Sequence, residues 1–121
     1  MPYTVKETRR YDQPKEAVET AVLAAISGLE GKLLKQESTR IEAKFDKKIL
    51  GKILGDRTQI EIDLEETSEG GCGVYLTIYP LDAIGRKLMF GARKGVPQTV
   101  ASWFWAHLEH HLQKSGDIAG K

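Results

Sequence analysis

The chain's 121 residues suffice for one domain with a core of its own. Apolar residues make up 40% and charged residues 29%, the balance of a soluble globular protein, and no apolar run approaches the roughly 20 residues that a spanning helix needs. A net charge of +1 argues against general electrostatic attraction to nucleic acid. The single cysteine, Cys72, excludes an internal disulfide, and no signal-like apolar segment follows Met1, so a reducing cytoplasm is the expected setting.

The first element is a strand over residues 3–10, where Tyr3 and Val5 alternate with Thr4 and Lys6 before the sequence turns polar. Asp12-Gln13-Pro14 then opens a helix, with Glu16 suited to its positive end. Val18, Val22, Ala25 and Leu29 form its buried stripe, flanked by Ala21 and Ile26, and Gly28 and Gly31 bracket its end.

Four extended segments follow. Lys32 to Glu37 is short and carries Leu33 and Leu34. Arg40 to Phe45 turns Ile41, Ala43 and Phe45 to one side, Thr58 to Glu65 does so with Ile60, Ile62 and Leu64, and Gly73 to Tyr79 with Val74, Leu76 and Ile78. Polar residues occupy the alternate positions, the signature of an antiparallel sheet with one wet face. Ser68-Glu69-Gly70-Gly71 marks a hairpin turn. Basic residues outward on one strand, such as Arg40, are placed to pair with the acidic row Glu61, Asp63 and Glu65 of another.

Two stretches interrupt the alternation. Residues 48–55 contain a tandem Lys-Ile-Leu-Gly, which has room for a short strand and which on a helical turn places Ile49, Leu50, Ile53 and Leu54 together beside Lys48 and Lys52. That arrangement fits a lid, a weak contact with an anionic membrane surface through Lys48, Ile49, Lys52 and Ile53, or a plug over the open end of the core. The second runs from Asp82 to Gly95, with Lys87 to Phe90 its best candidate for a short strand. The two basic stretches, 47–57 and 86–94, hold eight of the 18 Lys and Arg residues, so the small net charge conceals a polarised surface.

The last element is an amphipathic helix from Val96 to Gln113, with Pro97 in its first turn. Val100, Phe104 and Leu108 form its central stripe. Ala101, Trp105 and Leu112 widen the stripe on one side, Trp103 and His107 on the other, and Ser102, Glu109 and Gln113 lie opposite. The domain spans residues 1–114, and residues 115–121 are expected to form a flexible tail.

The order is strand, helix, four to six strands, long helix: an α+β domain in which a curved antiparallel sheet is crossed on its concave face by the C-terminal helix. In this order the chain resembles the TBP-like folds, which include the helix-grip domains of Bet v1 and START proteins. It is shorter than those domains and has one helix after its first strand where Bet v1 proteins have two.

No motif places a nucleophile beside a base, so no catalytic residue is assigned. His107 and His111 stand at i, i+4, a spacing that can bind metal, but His-Leu-Glu-His-His matches neither helical zincin pattern and no third ligand is evident. Neither a metal nor any other cofactor is expected. Gly91-Ala92-Arg93-Lys94-Gly95 precedes a helix N-terminus, where amides with Arg93 and Lys94 would suit an anion; the alternative is a Gly-rich connector with solvated charges.

The favoured function is non-catalytic binding of a small apolar or amphipathic ligand between helix and sheet. Trp103, His107 and His111 would line the site, and Arg86, Arg93 and Lys94 would meet the polar end. The rival is a protein-interaction or homodimer module that buries its tryptophans in an interface. Nucleic-acid binding ranks last, because the strands lack interleaved aromatic and basic residues.

Overall fold

The protein is described by a computed structural model covering residues 4–54, 56–82, 84–88 and 95–119, with 114–119 as helical backbone alone. Strand β1 (Val5–Tyr11) leads to helix α1 (Lys15–Gly28), then β2 (Lys32–Gln36), β3 (Arg40–Phe45), β4 (Lys48–Ile49), β5 (Lys52–Ile53), β6 (Arg57–Glu66), β7 (Cys72–Leu81) and helix α2 (Val96–Ala119). Five strands make one antiparallel sheet in the order β1-β7-β6-β3-β2, while β4 and β5 form a separate small hairpin.

The alternation read from the sequence sets the sheet's two faces. Ile41 lies opposite Ile62 and Ala43 opposite Ile60; across the next ladder Ile60 meets Ile78 and Ile62 meets Leu76. All six are buried and face the helices. On the other face Arg40 binds the β6 carboxylates of Asp63 at 2.8 Å and Glu61 at 3.0 Å, the cross-strand pairing expected from the charge pattern, and Glu42 of its own strand at 2.8 Å. Tyr79 donates to Glu61 at 2.6 Å; burial and that bond both raise the Tyr79 pKa above its usual value.

Helix α1 buries Val18, Ala21, Val22, Ala25 and Ile26. At its end Gly31 N–H donates to Ile26 C=O at 2.8 Å and Glu30 N–H to Ser27 C=O at 3.0 Å, a Schellman termination. The left-handed residue is Glu30, at φ 63°, where glycine is usual. Gly31 serves a different need: a Cβ there would lie 2.5 Å from Phe45 Cε1 and 2.8 Å from Ile26 Cγ2.

Helix α2 contributes Val96, Val100, Ala101, Phe104, Trp105, Leu108 and Leu112 to the same core. It continues to Ala119, into the stretch read as a tail. The Lys-Ile-Leu-Gly repeat folds as a hairpin, not a helical turn. Leu50 at φ 52° and Gly51 at φ 80° give a two-residue reversal with both centres left-handed, the twist that suits tight hairpins. Of the expected strand from Lys87 to Phe90, Lys87 forms a single bridge with Leu81 and residues 89–90 lie outside the described residues.

Candidate functional site

Strands β3, β6 and β7 come to a common end at Phe45, Arg57 and Leu81, from which both the β4–β5 hairpin and the connector to α2 depart. Strand alternation aims the hairpin's residues two ways. Ile49, 1% exposed, enters the core, with Leu54 packed against it, so the hairpin plugs this end. Ile49 is therefore unable to touch a membrane, which corrects its place in that expected set. Ile53, paired with Lys48 on the other side, is 80% exposed.

The hairpin is held by a long-range bond. Leu50 N–H donates to Glu30 Oε1 at 2.7 Å, joining the two left-handed non-glycine residues of the described chain. Both conformations carry strain, and the charge-assisted bond offsets part of it.

Between this hairpin and α2 lies a groove of about 220 Å³ lined by Leu50, Lys52, Trp103 and His107. Trp103 and His107 sit one turn apart on the same helical flank. The His107 ring packs close to the end of α1, since a Cβ on Gly28 would lie 3.1 Å from its Nδ1. The groove joins apolar walls to a lysine ammonium and an imidazole, so its chemistry is amphipathic. On the concave face at the same end of β6, the Thr58 side chain is buried and its hydroxyl has no hydrogen-bond partner among the described residues. Burying a hydroxyl without a partner is costly, and the usual remedy is a water or a ligand group.

Of the residues expected to form a site, the structure brings Trp103 and His107 together. His111 lies a turn further along α2, half-buried, its ring 5.5 Å from that of His110. Arg86 stands in the connector, bonded to Asp82 at 3.3 Å. Arg93 and Lys94, with the proposed anion loop from Gly91, lie outside the described residues. Lys52 supplies the cation at the groove. Its position depends on the tight reversal of the hairpin, which neither a short strand nor a helical turn read from the repeat specifies.

The other flank of α2 is closed by polar contacts with β1. Trp105 Nε1 donates to Glu7 at 2.6 Å, and the Arg9 guanidinium lies 4.9 Å from the Trp105 ring. Glu109 accepts from Arg9 and, at 2.9 Å, from the Tyr11 hydroxyl. Burial works to raise the Glu109 pKa, but the bonds from Arg9 and Tyr11 outweigh it and hold the carboxyl below its usual range. Burial first, and then the bond to Glu109, raise the Tyr11 pKa. Sequence reasoning missed this cluster, although Val5, Glu7, Arg9 and Tyr11 share one strand face and Trp105 and Glu109 are i, i+4.

No family model matches the sequence, and no curated protein matches it. Its likeness is to solved structures. Ara h 8.0201, a Bet v1-like allergen, aligns over 93% of this chain and 98% of its own with a TM-score of 0.58 and 9% identity. An uncharacterised protein of Rhizobium leguminosarum aligns over 92% of this chain and 94% of its own, at TM-score 0.54 and 14% identity. CalU16 of Micromonospora echinospora aligns over 95% of this chain and 84% of its own, at TM-score 0.52 and 12% identity. At such identities the likeness shows the fold: a helix-grip domain of Bet v1-like type.

Proposed function

We propose that this domain binds a small amphipathic molecule without transforming it, taking it in where Trp103 and His107 face the β4–β5 hairpin. The groove between them carries the reading, because it sets Leu50 and Trp103 beside the Lys52 ammonium and the His107 imidazole. Its volume of about 220 Å³ is below the roughly 300–1,000 Å³ of drug-sized sites, so it suits a small guest or one end of a longer one. His111, Arg86, Arg93 and Lys94 remain candidates for the outer parts of the same site.

The rival interface module needs exposed tryptophans. Trp105 is 2% exposed and bonded within the fold, which leaves Trp103 alone for a homodimer contact.

The test is thermal unfolding with dodecanoate. Saturating ligand should raise the melting temperature. Lys52→Glu should lower that shift, and Lys15→Glu, on α1 away from the groove, should leave it unchanged. No shift in the wild-type protein with dodecanoate, dodecanol or dodecylamine would overturn the proposal.

A further inference from the structure

The two most exposed large apolar side chains among the described residues are Ile53, at 80%, and Ile84, at 72%. They project from the same end of the sheet. Ile53 precedes β6, which starts at Arg57; Ile84 follows β7, which ends at Leu81; Arg57 and Leu81 are partners in register. Arg57 Nη2 also donates to the Asp82 carbonyl at 2.9 Å, tying the two loops' bases together. Leu50, 51% exposed, adds to the apolar tip.

Charge surrounds these residues unevenly. Lys47, Lys48 and Lys52 are all exposed, and none forms an ion pair with a described residue. Two nearby acids are turned inward to their own loops. Asp46 accepts from the Lys47 amide at 2.7 Å, and Asp82 accepts from the amides of Ile84 and Arg86 at 3.0 and 2.9 Å and from the Arg86 side chain. The hairpin therefore presents apolar tips among exposed lysines that form no ion pair with a described residue, on a base fixed by Ile49 in the core and by Glu30 at the turn.

We infer that the β4–β5 hairpin docks this domain on an anionic lipid surface, Ile53 entering the headgroup boundary and Lys48, its cross-strand partner on the same hairpin face, meeting lipid phosphates. A bilayer suits so small a tip. A stable protein interface needs about 800 Å² on each partner, whereas a side chain partitioning into lipid needs only a few ångströms of depth. A nucleic-acid strand would use the lysines and leave Ile53 without a role. No helix among the described residues is long and apolar enough to cross a membrane, so the contact is peripheral. Leu50 and Lys52 belong to both the hairpin and the groove, so docking sets the groove's opening beside the lipid. The inference stands independently of ligand binding, which dodecanoate reports without vesicles.

The experiment is co-sedimentation with vesicles of equal parts phosphatidylglycerol and phosphatidylcholine, against pure phosphatidylcholine. The wild-type protein should bind the anionic vesicles, less as salt rises. Ile53→Ser should weaken binding by on the order of tenfold, and Lys48→Glu by about fivefold or more. Leu34→Ser removes a leucine that is 45% exposed on β2, away from the hairpin, and should change nothing, and matched melting temperatures would show that all three variants fold. Three results would overturn the inference: no wild-type binding to anionic vesicles, undiminished binding by Ile53→Ser, or equal losses in Ile53→Ser and Leu34→Ser. Undiminished binding by Ile53→Ser would assign the lysines to polyanions in general.

Discussion

Trp103 and Trp105 are two residues apart on one helix and meet opposite treatment. Trp105 is enclosed: its ring packs edge-on to Phe104 at 5.4 Å, Arg9 covers it, and Glu7 takes its indole hydrogen. Trp103 is half-buried against a groove, and among the described residues neither it nor His107 makes a side-chain hydrogen bond. Directional bonds to β1 thus fix one flank of α2, while the flank towards the hairpin keeps unused bonding capacity. A helix that must hold a guest needs both, since a site is only as well ordered as the scaffold presenting it.

The largest expected effect breaks this comparison at the tryptophans. Trp105→Ala should cost about 3–5 kcal/mol, because the ring is enclosed and its removal leaves a cavity. Trp103→Ala should cost less, about 1–3 kcal/mol, since one side of the ring already meets solvent. Urea unfolding measures both, and similar costs would erase the distinction between the flanks.

A smaller effect sharpens it through pH. Glu109 has a folded pKa below its ordinary 4.5, so its contribution is present above that value and is lost as the pH falls through the folded pKa. Tyr11 is raised above its ordinary 10.0, so its contribution is present below that value and declines as the pH rises beyond it. Unfolding midpoints followed against pH should show a shallower acid limb in Glu109→Gln and a shallower alkaline limb in Tyr11→Phe. Limbs parallel to the wild type would mean that the contacts between β1 and α2 do not hold in solution.

Where the sheet has one wet face, the sequence carries its own register. Strands β3, β6 and β7 are legible because a one-residue slip would turn Ile60, Ile62, Leu76 and Ile78 to solvent. The core stripe of α1 and the central stripe of α2 are legible for the same reason at helical period. The β4–β5 hairpin is not, because Lys-Ile-Leu-Gly satisfies both periods over so short a stretch. Its conformation is decided by Leu50 in a left-handed state, supported by a carboxylate twenty positions earlier at Glu30. No local pattern encodes that bond, and with it went the role of Lys52 in the groove and the burial of Ile49. The contacts of β1 were hidden differently. Glu7 and Arg9 resemble solvated edge-strand charges, and Glu109 falls opposite the central stripe, yet α2 lies close enough to bond them.

The most direct measurement follows the two indole N–H resonances by nuclear magnetic resonance while dodecanoate is added. The Trp105 signal, held by Glu7, should stay in place, and the Trp103 signal should move in a saturable way, together with the His107 ring protons. Movement of Trp105 while Trp103 stays fixed, or no movement of either at millimolar ligand, would contradict the assignment of the groove as the binding site.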